Sequence, residues 1–160
     1  MFRIVASCVV LSLAACVVKS PLPDENWRLI GKLSLKTQKE SRILGIDWIH
    51  LAGENTISLR GPLGVKVALI TTAGSKVSLK TGDKFVIYDE NDVLTNIGVG
   101  ELKLPWQNLV KWVRFGEPDK SRLGNWQFKV MEASDERPSV MKLEHPEITM
   151  KLKVNRWEIP

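Results

Sequence analysis

The sequence is poor in the side chains from which chemical sites are built: two cysteines, Cys8 and Cys16, two histidines, His50 and His145, and one tyrosine in 160 residues. It has no H-E-x-x-H and no G-x-S-x-G, and no G-x-x-x-x-G-K-[ST] to cradle nucleotide phosphates. Asp89, Asn91 and Asp92 have the outline of a calcium loop, but the position where glycine must make the sharp turn is Leu94. Asp47 and His50 can be written as an acid/base pair, although unrelated surface groups at strand ends explain them more simply. No catalytic residue, metal or cofactor is expected. There is no block of Arg and Lys of the kind that tracks nucleic acid.

Long apolar runs are also lacking. The longest begins at Ile4, just after Arg3, and is over before Lys19, short of the roughly 20 residues a spanning helix needs. One basic residue, a short apolar stretch and then small residues make a signal-peptide layout. Leu13-Ala14-Ala15-Cys16 resembles the bacterial lipobox, which implies a leader over residues 1–15 and a lipid on Cys16. An ordinary secretory signal with a chance cysteine is the alternative. Cleavage leaves 145 residues without a second thiol, so no internal disulfide can form and packing must hold the fold. That length suits one domain. Loss of Arg3 lowers the net charge from +5 to +4, a mildly basic balance that favours anionic headgroups or an acidic partner.

Residues 16–26 read as the lipidated cysteine and a polar tether carrying Pro21, Pro23, Asp24 and Glu25. From Trp27 the pattern has period two, with Leu29, Gly31, Leu33 and Leu35 against Arg28, Lys32, Ser34 and Lys36. The alternation recurs at Ile57 and Leu59, at Val67 and Leu69, at Val77 and Leu79, and most cleanly at Ile148, Met150, Leu152 and Val154. Turn signals separate these runs, among them Gly61-Pro62-Leu63-Gly64, Ala73-Gly74-Ser75 and His145-Pro146-Glu147. Short strands at such spacing predict a curled antiparallel sheet.

One stretch, near residues 90–116, breaks the rhythm. Leu102, Trp106, Leu109 and Val113 step by four, three and four, which predicts an amphipathic helix starting near Pro105 and stopping at Gly116. A shorter helix is expected over Asn91 to Ile97. A single helix beside a curved sheet packs best inside the curve, as a plug or lid. The mature domain, 27–160, is therefore expected to be mainly β: an open, incomplete antiparallel barrel with a helical lid.

Trp27 through Thr37 (W-R-L-I-G-K-L-S-L-K-T), Asp47-Trp48, Gly61-Pro62-Leu63-Gly64, Leu104-Pro105, Trp112-Val113-Arg114, Gly116-Glu117-Pro118, Gly124-Asn125-Trp126 and Lys151-Leu152-Lys153 with Trp157 occur in collinear order. Together they resemble the LolB family of outer-membrane lipoprotein receptors, over nearly the whole mature chain. Two features depart from the family pattern. The family usually has a helix before its first strand, whereas only ten residues separate Cys16 from Trp27, and Phe115 stands between Arg114 and Gly116.

The resemblance implies a receptor that accepts client lipoproteins from a LolA-like periplasmic carrier, shelters their acyl chains in an apolar cavity, and inserts them into outer-membrane lipid. Leu63, held between Gly61-Pro62 and Gly64, is implied to be the membrane-inserting residue. The implied cavity lining is Leu33, Leu35, Trp48, Ile57, Leu59, Val67, Leu69, Val77 and Leu79, with Trp106, Leu109 and Val113 from the helix and Met150 and Leu152 from the last strand. Val17 after the cysteine favours the outer membrane, at its periplasmic face, and a monomer is expected. The alternatives are a lipid-anchored carrier of another amphiphile and an envelope assembly lipoprotein whose sheet packs solid.

Overall fold

The computed structural model describes residues 26–89, 104–116 and 122–159. The leader, Cys16, the tether before Asn26 and the expected helix over Asn91 to Ile97 lie outside them. The strands are β1 (Trp27–Thr37), β2 (Ser41–Leu51), β3 (Glu54–Arg60), β4 (Lys66–Ala73), β5 (Lys76–Thr81), β6 (Lys84–Asp89), β7 (Arg122–Leu123), β8 (Trp126–Ser134), β9 (Arg137–His145) and β10 (Ile148–Glu158). One helix, α1 (Trp106–Phe115), precedes β7.

All ten strands form one antiparallel sheet in the order β6-β5-β4-β3-β2-β1-β10-β9-β8-β7. Each strand pairs with its neighbour in sequence except at the centre, where the first strand meets the last, Leu33 opposite Leu152 and Leu35 opposite Met150. β6 and β7 are the edges, so the barrel is incomplete. Ile70 on β4 and Phe128 on β8 stand six strands apart in that order yet line one cavity. A flat sheet would hold them roughly 29 Å apart at about 4.8 Å per strand, so the sheet must curl.

Strand alternation decides which face is enclosed. Leu29, Leu35, Ile46, Trp48, Ile57, Leu59, Ile70, Phe128, Leu143 and Leu152 are all buried on the concave side. Charged residues such as Lys32, Arg60, Lys151 and Lys153 are exposed on the other side. Bulges help the curl, since an extra residue bends its strand. One lies at Ile30/Gly31 opposite Val154, and another at Leu59/Arg60 opposite the start of β4.

The second bulge corrects one expectation. Val67 and Leu69 do not face the interior; Ala68 and Ile70 do, opposite Leu59 and Ile57. Val67 falls at the bulge and is 40% exposed, while Leu69 sits on the outer face opposite Ser58. Four consecutive apolar residues carry no period, and the choice between the two faces was made by the β3 register, which the local sequence does not contain.

The helix forms where the period-four spacing puts it. Pro105 precedes it, and Gly116 ends it in the left-handed conformation (φ 68°) with its N–H donating to the Trp112 carbonyl at 3.0 Å. Trp106, Trp112 and Val113 are buried, and Trp112 stacks on Phe128 of β8 with ring centroids 5.4 Å apart. The helix thus lies across the concave face, packed against β8 and β9.

Candidate functional site

Between α1 and the sheet is an apolar cavity of about 80 Å³. Of the positions expected to line it, Leu33, Leu35, Trp48, Ile57, Leu59, Trp106, Leu109, Val113, Met150 and Leu152 do so. Val67 and Leu69 are displaced by the bulge. Val77 and Leu79 face inward and are buried, but pack in the solid core of β5 and do not border the cavity. Ile46, Ile70, Leu104, Phe128, Met141 and Leu143 also line it, and none was singled out from the sequence. Ile46 alternates with Asp47, Phe128 with Gln127 and Lys129, and Met141 and Leu143 with Lys142 and Glu144, so these four could have been found from the same period-two pattern.

The cavity is solidly closed at one end. Trp27 packs on Trp48, on the His50 ring and on Trp157, with centroids 5.2, 5.3 and 5.5 Å away. Below them a buried polar network is satisfied throughout. Trp48 Nε1 donates to Asn55 Oδ1 at 2.9 Å, and Asn55 Nδ2 donates to Thr72 Oγ1 at 2.8 Å. That donation orients the Asn55 amide, so His50 Nδ1, 2.9 Å from the same Oδ1, is a donor too. His50 is therefore structural. Asp47 lies on the opposite face of β2, in a bidentate bond to Arg28 Nε and Nη2, both at 2.8 Å. Its carboxyl is held below the usual range chiefly by that bond. The two groups do not form an acid/base pair.

At the other end the wall is thin. Leu35 and Leu59 border both the cavity and an open groove of about 580 Å³ that reaches Ile43, Pro62 and Val67. The groove runs to the root of the turn Gly61-Pro62-Leu63-Gly64. Pro62–Gly64 form a single tight turn tied by Gly61 N–H to the Val65 carbonyl at 2.8 Å and Gly64 N–H to the Gly61 carbonyl at 3.2 Å. Leu63 adopts φ 64°, a conformation that a leucine occupies at a cost of order 1 kcal/mol. Its side chain is 102% exposed, and Val65 beside it is 63% exposed. A large apolar side chain is thus held out into solvent by a turn that is itself strained.

Inside, Trp106 Nε1 is buried with no hydrogen-bond partner among the described residues, whereas the Nε1 of Trp48, which also lines the cavity, is bonded to Asn55. No group of three or more His, Cys, Asp or Glu side chains gathers as a metal site among the described residues. None of their helices is long and apolar enough to cross a membrane.

Residues 25–131 match the family described as outer membrane lipoprotein LolB. The chain belongs to the LolB family. Relatives named outer-membrane lipoprotein LolB include one from Chromobacterium violaceum, 26% identical over 98% of this chain and 98% of its own length. Another, from Shewanella frigidimarina, is 24% identical over 98% of this chain and 93% of its own. Among solved structures, a LolA superfamily protein from Nitrosomonas europaea aligns with a TM-score of 0.48 at 6% identity, covering 86% of this chain and 87% of that one. The LolB match takes in β1 through most of β8, and so the Leu63 turn and α1.

Proposed function

We propose that this LolB-family protein is an outer-membrane lipoprotein that receives other lipoproteins from a LolA-like carrier and inserts them into the outer membrane from its periplasmic face. It is non-enzymatic: the acyl chains of the client are bound and passed on, with no bond made or broken. The observation that carries the reading is the pairing of an apolar cavity under a helix with a fully exposed leucine at the thin end of that cavity. The family membership and the names of the relatives support it.

The physical case runs through the acyl chain. Each buried methylene is worth about 0.8 kcal/mol, so long chains cannot cross water unsheltered. The sequence has no phosphate-cradling G-x-x-x-x-G-K-[ST] to couple transfer to nucleotide, so transfer is taken to run downhill. The cavity must hold acyl chains more tightly than the carrier does and less tightly than a bilayer. The groove from Leu35 and Leu59 to the Leu63 turn offers the exit, and Leu63 is the residue that enters the membrane as the client leaves. Cys16, lipidated after cleavage of residues 1–15, holds the domain at its place of work through the tether.

The test is Leu63→Glu in a reconstituted transfer from loaded carrier to vesicles. The side chain touches nothing, so folding and acceptance of client from the carrier are expected to match the parent, while delivery to vesicles falls to background. Normal delivery by this variant would remove the basis for Leu63 as inserter.

A further inference from the structure

The outer face of the sheet carries its charge unevenly. Arg60 and Lys66, which bracket the Leu63 turn, stand directly opposite each other across β3 and β4. In the same cross-strand row, past Gly45, Lys32 stands opposite Lys153. One row nearer the Leu63 end, Lys151 faces Lys142, and Lys142 faces Lys129. Directly opposed like charges destabilise a sheet, so four such pairs on one face work against folding.

Little offsets them. Glu144 bridges Lys129 at 3.1 Å and Lys142, which hold its carboxyl below the usual range, and Glu132 lies at the margin opposite Val140. Arg60, Lys66, Lys32, Lys151 and Lys153 make no ion pair among the described residues. Toward the far end the same face is balanced. There Arg28 sits between Asp47 and Glu158, and Arg156 bridges Glu158. The directly opposed cation pairs are confined to the half of the face next to Leu63.

The tether leaves from the opposite end. Asn26 accepts a hydrogen bond from the Ala52 N–H at the β2/β3 hairpin, at the other end of β3 from the Leu63 turn. The eleven residues of β1 span roughly 35 Å, and residues 17–26 fully extended reach at most about 36 Å. A domain standing upright on Leu63 would stretch that tether taut. Laid over on its outer face, it leaves slack.

We infer that the outer face from the root of the Leu63 turn across to the β8/β9 ladder is an electrostatic docking surface for anionic lipid headgroups, which lays the domain along the bilayer with Leu63 inserted at one end. This deepens the membrane-delivery reading and rests on it for Leu63 and the anchor. The opposed cations gain their counter-charge on the membrane, which is where the cost of assembling them is recovered.

Every residue of the sheet lies after Asn26, so the domain beginning at Val17 folds without its anchor and is the protein to use. Its binding to vesicles of phosphatidylcholine alone is compared with binding to vesicles in which one third of the lipid is phosphatidylglycerol. Binding is expected only to the second and is expected to weaken with salt. Lys32→Gln, Lys151→Gln and Lys153→Gln together should weaken it about a hundredfold, at about fivefold per cation. The thermal midpoint should be unchanged or raised, because repulsion is relieved. Lys111→Gln, on the exposed side of α1 and so off the outer face of the sheet, should bind as the parent does.

Equal binding to both vesicles, or unchanged binding by the triple variant, overturns the inference. So does a triple variant that binds vesicles normally but no longer accepts client, which would make the face a dock for an acidic carrier. Leu63→Glu separates the two readings: if it delivers normally the inserter role fails, whatever the headgroup dependence of binding shows.

Discussion

At the scale of single residues, two positions hold most of the information. Leu63 combines full exposure with a positive φ that leucine avoids, and neither feature helps the fold. Strain that packing does not explain is characteristic of sites kept for function. Asp47 is the opposite case, a residue whose chemistry is spent on structure. Arg28 grips its carboxyl through two hydrogen bonds and lowers its pKa. A carboxyl with a depressed folded-state pKa contributes stability above the ordinary carboxylate range and loses it as pH falls through the lowered value. Asp47→Asn is therefore expected to lower the urea midpoint near neutral pH, with the gap to the parent closing in strong acid. A gap that is constant with pH would mean that the ion pair contributes nothing.

Among the elements, β1 and β10 set the shape of the sheet because they join its two halves. Their close approach depends on Gly31 at the bulge, where a Cβ would lie 2.2 Å from the Lys153 carbonyl oxygen. A backbone oxygen on a central strand cannot step aside. Gly31→Ala should cost about 1–3 kcal/mol, as overpacking does, read from chemical denaturation. The loss should be accompanied by weaker acyl-probe binding, because the two halves that wall the cavity would no longer meet in register. Gly31 was visible in the sequence only as one member of an alternating apolar face. What it does there is a matter of tertiary contact with a strand more than a hundred residues away.

For the whole molecule, the decisive quantity is the cavity volume. A methylene takes roughly the space of a water, about 30 Å³, so about 80 Å³ accommodates two or three of them. A lipoprotein acyl chain is far longer. Loading is therefore expected to enlarge this space, with α1 lifting from β8 and β9. The helix is held on the sheet by Trp112 on Phe128, with Trp106 and Val113 buried beside the cavity. Loading the domain with a fluorescent fatty acid is expected to speed amide exchange in α1 and leave β1 and β10 protected. Uniform protection with bound fatty acid would show that the acyl chain lies elsewhere, and the open groove would be the place to look.

Much of this was legible in the sequence because local pattern suffices for it. Period two against period four separates the strands from α1, and Pro105 and Gly116 mark the ends of that helix through backbone chemistry alone. The P-L-G turn presents its leucine by the same local rules. Face assignment was legible wherever polar and apolar residues alternate, as along β1 and β10, and failed at Val67 and Leu69, where they do not. The bulge opposite Arg60 decides that strand, and a bulge is a property of two strands together. Likewise no local pattern brings Ile70 to Phe128, closes the cavity to about 80 Å³, or sets Lys32 against Lys153. Those facts depend on the curl and register of the whole sheet. The sequence determined the elements and the exposed turn, while tertiary structure alone determined the cavity and the cationic face, because both are made by residues that meet only across strands.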